Sequence, residues 1–431
     1  MPPVASVNKN YLDKVIDLSQ VMDVAATEDI FDARGVKLIA KGARISPAVQ
    51  EKLIMHKLRK PLEACLTVDG GIDIDGIVAE AQRIVETSSP VAQVMSLMGG
   101  SGMSPFEILS GLRLGNAMSL MLTITQRGGN EAFSHAIIVS LISLCLAKKA
   151  GMSHDDQANV TLAGLLHDIG ELYIAPEYLH HAKRLLPHEW RHVVVHPKIS
   201  QMLITELGSF PIAVAQAVAD HHERLNGTGY PRQLSGPDFG MPGQILSVAE
   251  MVSGIFLTQE RPLECAELAL KIVPGEHSPL LVSAISGAVR NQGREASANR
   301  DGAAKEIILE AKSLGCHFPI VLQAGGNLLD SSDIRSNPAK LLLRRALERI
   351  EMLQRALIST GMDATLLTDE AIVDDVEFVF EATLITREII WRLRDVARDL
   401  SLHSQGLESR ELVCFEGLIA LIDEGHQATL H

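Results

Sequence analysis

The sequence has few aromatic residues and few cysteines. Aromatic residues make up 4% of the 431 residues and hydrophobic residues 46%, with Leu, Ala, Ile and Met abundant. These are good helix formers, so we expect a mainly helical protein with aliphatic cores. The five cysteines are scattered and form no Cys-x-x-Cys pair. This pattern excludes a disulfide scaffold and favours free thiols in a cytoplasmic protein.

Charge and apolar run length exclude two further classes of protein. The formal net charge is −14, which argues against an electrostatic grip on a nucleic acid polymer or an anionic membrane. The N-terminus lacks the apolar stretch of a signal peptide. The longest apolar segment, Ala136 to Ala147, has about twelve residues, against roughly 20 for a membrane span. We therefore expect a protein without a membrane span.

A chain of this length predicts more than one domain. A run of small residues, Gly99 to Gly102, is the first candidate boundary. We expect a small N-terminal α+β module with a linker helix over residues 1–100. A histidine-rich helical domain is predicted over 101–295 and a helical C-terminal domain over 296–431.

The N-terminal module carries clear local signals. Alternating apolar residues from Asp29 to Gly42 surround a turn at residues 33–35, which predicts a hairpin. Ser46-Pro47 is typical of a helix start, and that helix is predicted to run to about residue 58. A longer helix is predicted from Ile74 to Leu97.

The C-terminal domain is predicted to be a set of helices. One apolar stripe recurs at steps of three and four: Leu343, Ala346, Ile350, Leu353 and Leu357. Further helices are predicted over Glu370–Leu400 and Ser409–Ile422, whereas residues 291–337 show only a short apolar run, Ile307 to Leu314. The helices form either an intramolecular bundle or a surface for a protein partner or self-association.

Histidine is concentrated in the middle of the chain. Ten of the sixteen histidines lie between His135 and His222. His167 and Asp168 lie in the last turn of an apolar helix that is predicted to end at Gly170. Burying this polar pair is costly unless a partner compensates it, and a divalent metal would do so. Taken alone, the pair is better explained as a hydrogen-bonded pair near a helix end.

Neighbouring helix ends strengthen the metal interpretation. Glu131 and His135 are four residues apart and share a helix face. His196 precedes a proline, and His221-His222 closes another apolar helix. Each group alone could be a surface pair, as we expect for His188 and His192. Together they predict a metal site built from several helix ends.

The segment from His221 to Pro231, HHERLNGTGYP, resembles the signature of the HD-GYP phosphodiesterases. The resemblance extends from Glu131 to about Arg261 and includes the HD pair, the His-Pro and the double histidine in the family order. It implies an all-helical HD-superfamily domain that hydrolyses cyclic di-GMP to pGpG or GMP through a metal-bridged hydroxide.

The resemblance also implies the residues of the site. The implied metal ligands are Glu131, His135, His167, Asp168, His196, His221, His222 and Glu250. Asp168 would bridge two divalent ions and be catalytic, and Glu131 corresponds to the carboxylate of members with a third ion. Iron or manganese is favoured. The implied substrate-binding residues are Arg224, Gly229, Tyr230, Pro231 and Arg261.

Five positions depart from the family pattern. Glu171 replaces a lysine, Glu264 replaces a basic residue, and Asn226, Glu250 and Ser253 each replace an aspartate. Loss of the two cations favours a second hypothesis: a cyclic di-GMP-responsive or protein-binding signalling adaptor with weak catalysis. A third is phosphohydrolysis of another nucleotide. The retained ligand set favours the enzyme.

Overall fold

The computed structural model describes residues 6–97, 103–179, 184–292, 303–361 and 375–424. These residues form a mainly helical protein with two short two-stranded sheets, which confirms the predicted fold class. The candidate boundary at Gly99–Gly102 lies outside the described residues.

The chain forms two compact units. The first consists of Met1–Lys183, His192–Ala266 and Gly275–Gln292. The second consists of Arg184–Arg191, Glu267–Pro274 and Gly293–His431. The N-terminal module and the histidine-rich region thus belong to one unit, and the three-domain organisation stays a prediction.

The strands all belong to the N-terminal module. β1 (Val24–Ala26) pairs antiparallel with β4 (Leu66–Val68), and β2 (Ile30–Phe31) pairs antiparallel with β3 (Lys37–Ile39). The β2–β3 pair is the predicted hairpin. Its turn is held by Asp32, whose carboxylate accepts the backbone N–H groups of residues 34 and 36 at 2.9 and 2.8 Å.

The first unit is otherwise helical. Its helices are α1 (Lys9–Ser19), α2 (Pro47–Met55), α3 (Ile74–Thr87), α4 (Ser89–Ser96), α5 (Pro105–Ser110), α6 (Asn116–Gly128), α7 (Asn130–Lys149), α8 (His154–Leu166), α9 (His196–Leu207), α10 (Ile212–Ala219), α11 (Met241–Thr258) and α13 (Pro279–Gln292). Between α11 and α13, α12 (Pro262–Lys271) runs from the first unit into the second.

One predicted helix of this unit is wrong. The segment from Ile74 to Leu97 is two helices, because Ser88 is extended and Pro90 lies in the first turn of α4. Proline cannot donate the backbone hydrogen bond that a continuous helix requires.

The core of the first unit is formed around α7, which packs against α8 and α11. Among the described residues, Glu131–Lys149 and Met241–Thr258 are long and apolar enough to cross a membrane. Their windows are 72% and 44% buried within the protein. Each carries a polar side chain inward, His135 and Glu250, which fits core helices of a globular domain.

The second unit contains the C-terminal helices. They are α14 (Ala303–Asp330), α15 (Asn337–Ser359), α16 (Val376–Ser404) and α17 (Ser409–Glu424). The stripe predicted from Leu343 to Leu357 is buried in their common core, which confirms an intramolecular bundle. The helices predicted near α16 and α17 are also confirmed, although residues 370–374 lie outside the described residues.

The short apolar run predicted at Ile307–Leu314 is part of a much longer helix. α14 has 28 residues and contains Pro319. Its buried residues recur at helical spacing: Ile308, Ala311, Leu314, Phe318 and Val321. Packing of this stripe compensates for the roughly 3 kcal/mol that an internal proline costs a helix.

Candidate metal centre

The predicted ligands lie on five segments of the first unit. His135 lies on α7, His167 and Asp168 follow α8, His196 begins α9, His221 and His222 follow α10, and Glu250 lies on α11. Their ligand atoms form two groups, each within 4.8 Å: Asp168, His196, His221 and His222, and His135, His167, Asp168 and Glu250. Asp168 is common to both groups.

A close backbone approach sets the position of Asp168 relative to His196. α8 ends at Leu166, and a 3-10 helix from Ile169 to Tyr173 begins directly after Asp168, so the predicted helix end at Gly170 is four residues too late. A Cβ atom on Gly170 would lie 2.3 Å from the His196 carbonyl oxygen. Only glycine lets the two segments approach this closely.

The first group surrounds one oxygen of Asp168. Oδ1 lies 3.3 Å from His196 Nε2 and 3.5 Å from His221 Nε2. His196 Nε2 is in turn 3.1 Å from His221 Nε2 and 3.2 Å from His222 Nε2. Three imidazole nitrogens and one carboxylate oxygen therefore converge on one point.

The second group surrounds the other oxygen of Asp168. Oδ2 lies 2.9 Å from His167 Nε2 and 3.8 Å from His135 Nε2. Glu250 Oε2 lies 2.9 Å from His135 Nε2 and 3.1 Å from His167 Nε2. The longer side chain of Glu250, where the family has aspartate, thus still reaches the group.

Backbone carbonyl groups fix the tautomers of three histidines. His167, His196 and His221 each donate from Nδ1 to the carbonyl oxygen three residues earlier, at 2.8, 2.8 and 2.6 Å. Because a carbonyl can only accept, each Nδ1 carries a proton, and each Nε2 is left to face the other members of its group. His135 Nδ1 has a side-chain partner instead, Ser253 Oγ at 3.0 Å.

The electrostatics of the site follow from this arrangement. Burial would raise the pKa of Asp168, but the neighbouring imidazoles outweigh it and hold the pKa well below its usual value. Burial would lower the pKa of His167, but Asp168 and Glu250 raise it well above its usual value. Burial and the adjacent imidazoles lower the pKa of His222 well below its usual value. The carboxylates are therefore ionised, and His222 is a neutral ligand.

A divalent cation fits both groups. The Nε2 atoms of His221 and His222 lie 3.1 and 3.2 Å from Nε2 of His196, and lone pairs that face each other at this distance repel unless a positive charge lies between them. His167 Nε2 and Asp168 Oδ1 are buried without a hydrogen-bond partner among the described residues. Histidine and carboxylate donors suit first-row transition metals. The site is compatible with divalent metal binding.

Glu131 lies outside both groups. It is exposed on the first turn of α7, four residues and thus about 6 Å along the axis from His135. It lines a cavity of about 660 Å³ together with Asp168 and Glu171. His188 is exposed and also outside both groups, whereas His192 stacks on Tyr178 at 4.3 Å between ring centroids.

Glu171, which replaces a lysine of the family pattern, faces the metal-ligand groups. Burial and the charge of Asp168 raise its pKa to about 7, although His196, His167 and His135 act in the opposite direction. The side chain therefore brings an acidic group to the position where a cation is expected.

The glycine-tyrosine-proline loop lies against the first group. The Tyr230 ring stacks on His222 with centroids 4.6 Å apart, and a cis peptide bond joins it to Pro231. Gly229 packs on the preceding backbone, where a Cβ atom would meet Arg224 N at 2.3 Å. Glu223 holds the far side of the loop by accepting backbone N–H groups at 2.6 and 2.9 Å.

Both predicted substrate-binding arginines are buried and engaged within the protein. Arg224 donates to Ser247 Oγ at 2.6 Å and lies 3.7 Å from Glu276. Arg261 forms an ion pair with Glu264, the acidic residue that departs from the family pattern. Substrate contacts by these guanidinium groups stay a prediction.

The sequence did not predict two residues of the site. Ser253 is a departure from the family pattern, and its hydroxyl contacts His135. Lys14 of α1 lines the same cavity as Asp168. Its distance in sequence from the histidine-rich region left no local signal, so only the packing of α1 reveals it.

The region that contains these residues is similar to known proteins. Residues 117–264 match a family model described as an HD domain. The chain is 32% identical over 143 residues to 3'3'-cGAMP-specific phosphodiesterase 1 of Vibrio cholerae, covering 33% of this chain and 32% of that protein. It is 28% identical over 256 residues to a cyclic di-GMP phosphodiesterase of Pseudomonas aeruginosa, covering 58% and 60% of the two chains.

A solved structure, an HDG"Y"P protein from Bdellovibrio bacteriovorus, is 17% identical. The alignment covers 62% of this chain and 95% of the Bdellovibrio chain, with a TM-score of 0.33. The chain spans less than two thirds of the length of either phosphodiesterase relative. The family match shows that residues 117–264 of this chain carry an HD domain, as the resemblance of its motifs predicted.

Proposed function

We propose that this protein is a cytoplasmic, metal-dependent phosphodiesterase that hydrolyses cyclic di-GMP to pGpG or GMP. The observation that carries the proposal is the division of Asp168 between two ligand groups, with Oδ1 facing three histidines and Oδ2 facing two histidines, both of which also contact Glu250. A carboxylate in this position would bridge two ions, and manganese and iron suit the mixed donors.

The residues of the site have separable roles in this proposal. His135, His167, Glu250 and Asp168 would hold one ion, and Asp168, His196, His221 and His222 the other. Two such ions lower the pKa of water and neutralise charge on a phosphodiester. The Tyr230 ring beside His222 offers a flat surface on which a guanine could stack. Glu131 would hold a third ion only if its side chain turned inward.

The names of the relatives support a cyclic dinucleotide as substrate. One of the two relatives above is named for 3'3'-cGAMP and the other for cyclic di-GMP. Both ligands are cyclic, doubly charged and carry a guanine, so both belong in the test.

The second candidate, a signalling adaptor with weak catalysis, is favoured by two observations. Glu171 brings an acidic group to the ligand groups, and Arg261 is paired with Glu264. Both would reduce the positive charge available to a phosphodiester. In this candidate the metal is retained but hydrolysis is slow.

The experiment is metal analysis combined with turnover. Purified protein supplied with Mn²⁺ or Fe²⁺ under anaerobic conditions is expected to retain about two ions per chain and to release pGpG or GMP from cyclic di-GMP. The substitution Asp168→Ala is expected to lower metal content and abolish turnover. The matched control is His188→Ala, an exposed histidine outside both groups, which should behave as wild type.

The outcomes separate the candidates. Metal retention with tight dinucleotide binding and no turnover favours the adaptor. Normal turnover by the Asp168→Ala variant, or wild-type protein that retains no metal, contradicts the proposed centre.

A further inference from the structure

The cavity beside the metal-ligand groups has a wall supplied by the N-terminal module. It has a volume of about 660 Å³, within the range of small-molecule sites, and Asp168 and Glu171 line one side. Lys14, Asp17 and Leu18 of α1 line another. The pocket next to Asp168 therefore includes a helix more than 100 residues earlier in the chain.

α1 is held firmly against the segment that follows the HD pair. Lys14 Nζ donates to the carbonyl oxygens of Glu171 and Leu172 at 3.2 and 3.1 Å. Asn8 and Asn10 each donate a side-chain N–H to the Tyr173 carbonyl oxygen, at 3.3 and 3.1 Å. The rings of Tyr11 and Tyr173 stack with centroids 5.1 Å apart. These contacts place Lys14 at a defined position rather than on a freely moving surface.

A pocket for a doubly charged ligand needs cations, and the described part of the HD region supplies few of them. Glu171 stands where the family pattern has lysine, and Arg261 and Arg224 face carboxylates of Glu264 and Glu276. Among the described residues that line the cavity, the basic ones are Lys14 and Arg127, and Arg127 is exposed at the end of α6. Lys14 is half-buried and next to Glu171, the position of the missing lysine.

We propose that Lys14 is a substrate-binding residue: its ammonium group, contributed by the N-terminal module, pairs with a phosphate oxygen of the cyclic dinucleotide. The inference rests on the proposed function. An ammonium group has three donors, and the two carbonyl contacts leave one for a ligand. A charged hydrogen bond to phosphate in a half-buried pocket is about twice as strong as a neutral one. The N-terminal module thus completes the binding pocket of the HD domain.

The experiment compares three variants of the full-length protein loaded with Mn²⁺. Lys14→Gln keeps N–H donors for the two carbonyl groups but removes the charge. Lys14→Arg keeps the charge. Lys9→Gln removes a charge from the same helix at an exposed position, so it is the matched control. The measurements are KM and kcat for cyclic di-GMP and 3'3'-cGAMP, the Kd of each by calorimetry, metal content and Tm.

Lys14→Gln is expected to raise KM and Kd about tenfold, which corresponds to about 1.4 kcal/mol, with metal content and Tm unchanged. Its kcat should change much less than its KM, and its binding should depend less on salt concentration than that of the wild type. Lys14→Arg and Lys9→Gln are expected to remain within about twofold of wild type.

Three results would overturn the inference. If the Lys14→Gln variant binds the dinucleotides as tightly as the wild type, and the wild type is active, the role of Lys14 is refuted. The proposed phosphodiesterase function is then unaffected. A loss of affinity in Lys14→Arg equal to that in Lys14→Gln, or a loss accompanied by lower metal content or Tm, assigns Lys14 to structure alone. Absence of both binding and turnover in the wild type overturns the inference together with the proposed function.

Discussion

Gly170 offers the sharpest test of how the fold positions the metal ligands. It follows the HD pair by two residues, and a Cβ atom there would lie 2.3 Å from the His196 carbonyl oxygen, 2.7 Å from Ser200 Oγ and 2.8 Å from Ser200 N. Its φ angle is outside the left-handed region, so the backbone conformation accepts alanine. The substitution Gly170→Ala therefore perturbs the site by steric overlap alone.

The size of the effect follows from these distances. An ordinary van der Waals contact begins at about 3.4 Å, so the start of α9 must move away by about 1 Å. His196 Nε2 would move with it from its position 3.3 Å from Asp168 Oδ1. Overpacking of this kind typically costs about 1–3 kcal/mol of unfolding free energy. Because loss of ligand support costs about 10–100-fold in metal affinity, we expect a reduction in that range.

The assay is titration of metal-free protein with Mn²⁺, together with denaturant unfolding of the metal-free form. Gly254→Ala is the matched control, since Gly254 lies on α11 and a Cβ atom there would meet nothing within 4 Å. That variant should keep its metal affinity and become slightly more stable, because alanine favours a helix by roughly 0.5–1 kcal/mol. Wild-type metal affinity and stability in Gly170→Ala would refute the close approach described here.

Three further predictions each concern a single side chain. Ser253→Ala removes the partner of His135 Nδ1 and is expected to weaken Mn²⁺ binding about tenfold in a titration; unchanged affinity would mean that His135 is oriented by packing alone. Glu171→Gln removes an acidic group facing the ligand groups at nearly constant volume, so KM for cyclic di-GMP should fall several-fold, and an unchanged or higher KM would contradict repulsion of the substrate. Burial raises the pKa of Glu63, so its ionisation opposes folding above the pKa of the unfolded chain. Glu63→Gln should therefore raise Tm at pH 7 but not at pH 4, and an equal shift at both values would exclude the charge as its cause.

Local sequence signals predicted the helices wherever propensity and packing agree. The stripe from Leu343 to Leu357 keeps helical spacing without interruption, and α15 follows it. In α14, helix propensity and packing conflict. Pro319 and several glycines disfavour a helix, whereas Phe318 and Val321 are buried in the bundle. The burial of those side chains outweighs the cost of proline and glycine within the helix. This burial depends on the other helices of the bundle, so the sequence of the segment alone does not reveal it.

The candidate site shows the same difference between what local sequence signals predict and what tertiary packing decides. His167, Asp168 and the double histidine were identified from spacing and resemblance, since a metal ligand must be a particular kind of residue at a particular helix end. Glu131 carries the right chemistry and the right helix face, yet it lies outside both groups because it is one turn too early on α7. The spacing of residues along a helix predicts which face they share, but it does not predict which turn of the helix contacts the neighbouring segments.

Composition and motifs predicted a mainly helical chain with an HD domain, and they predicted a set of side chains that could ligate a metal. Only the tertiary structure decided which oxygen of Asp168 faces which histidines, that Glu250 reaches the second group, and that Lys14 of the N-terminal helix lines the pocket. The physical reason is the distance along the sequence over which each kind of interaction acts. Helix periodicity and residue chemistry act over a few neighbours, whereas a binding site is formed where segments distant in sequence pack together.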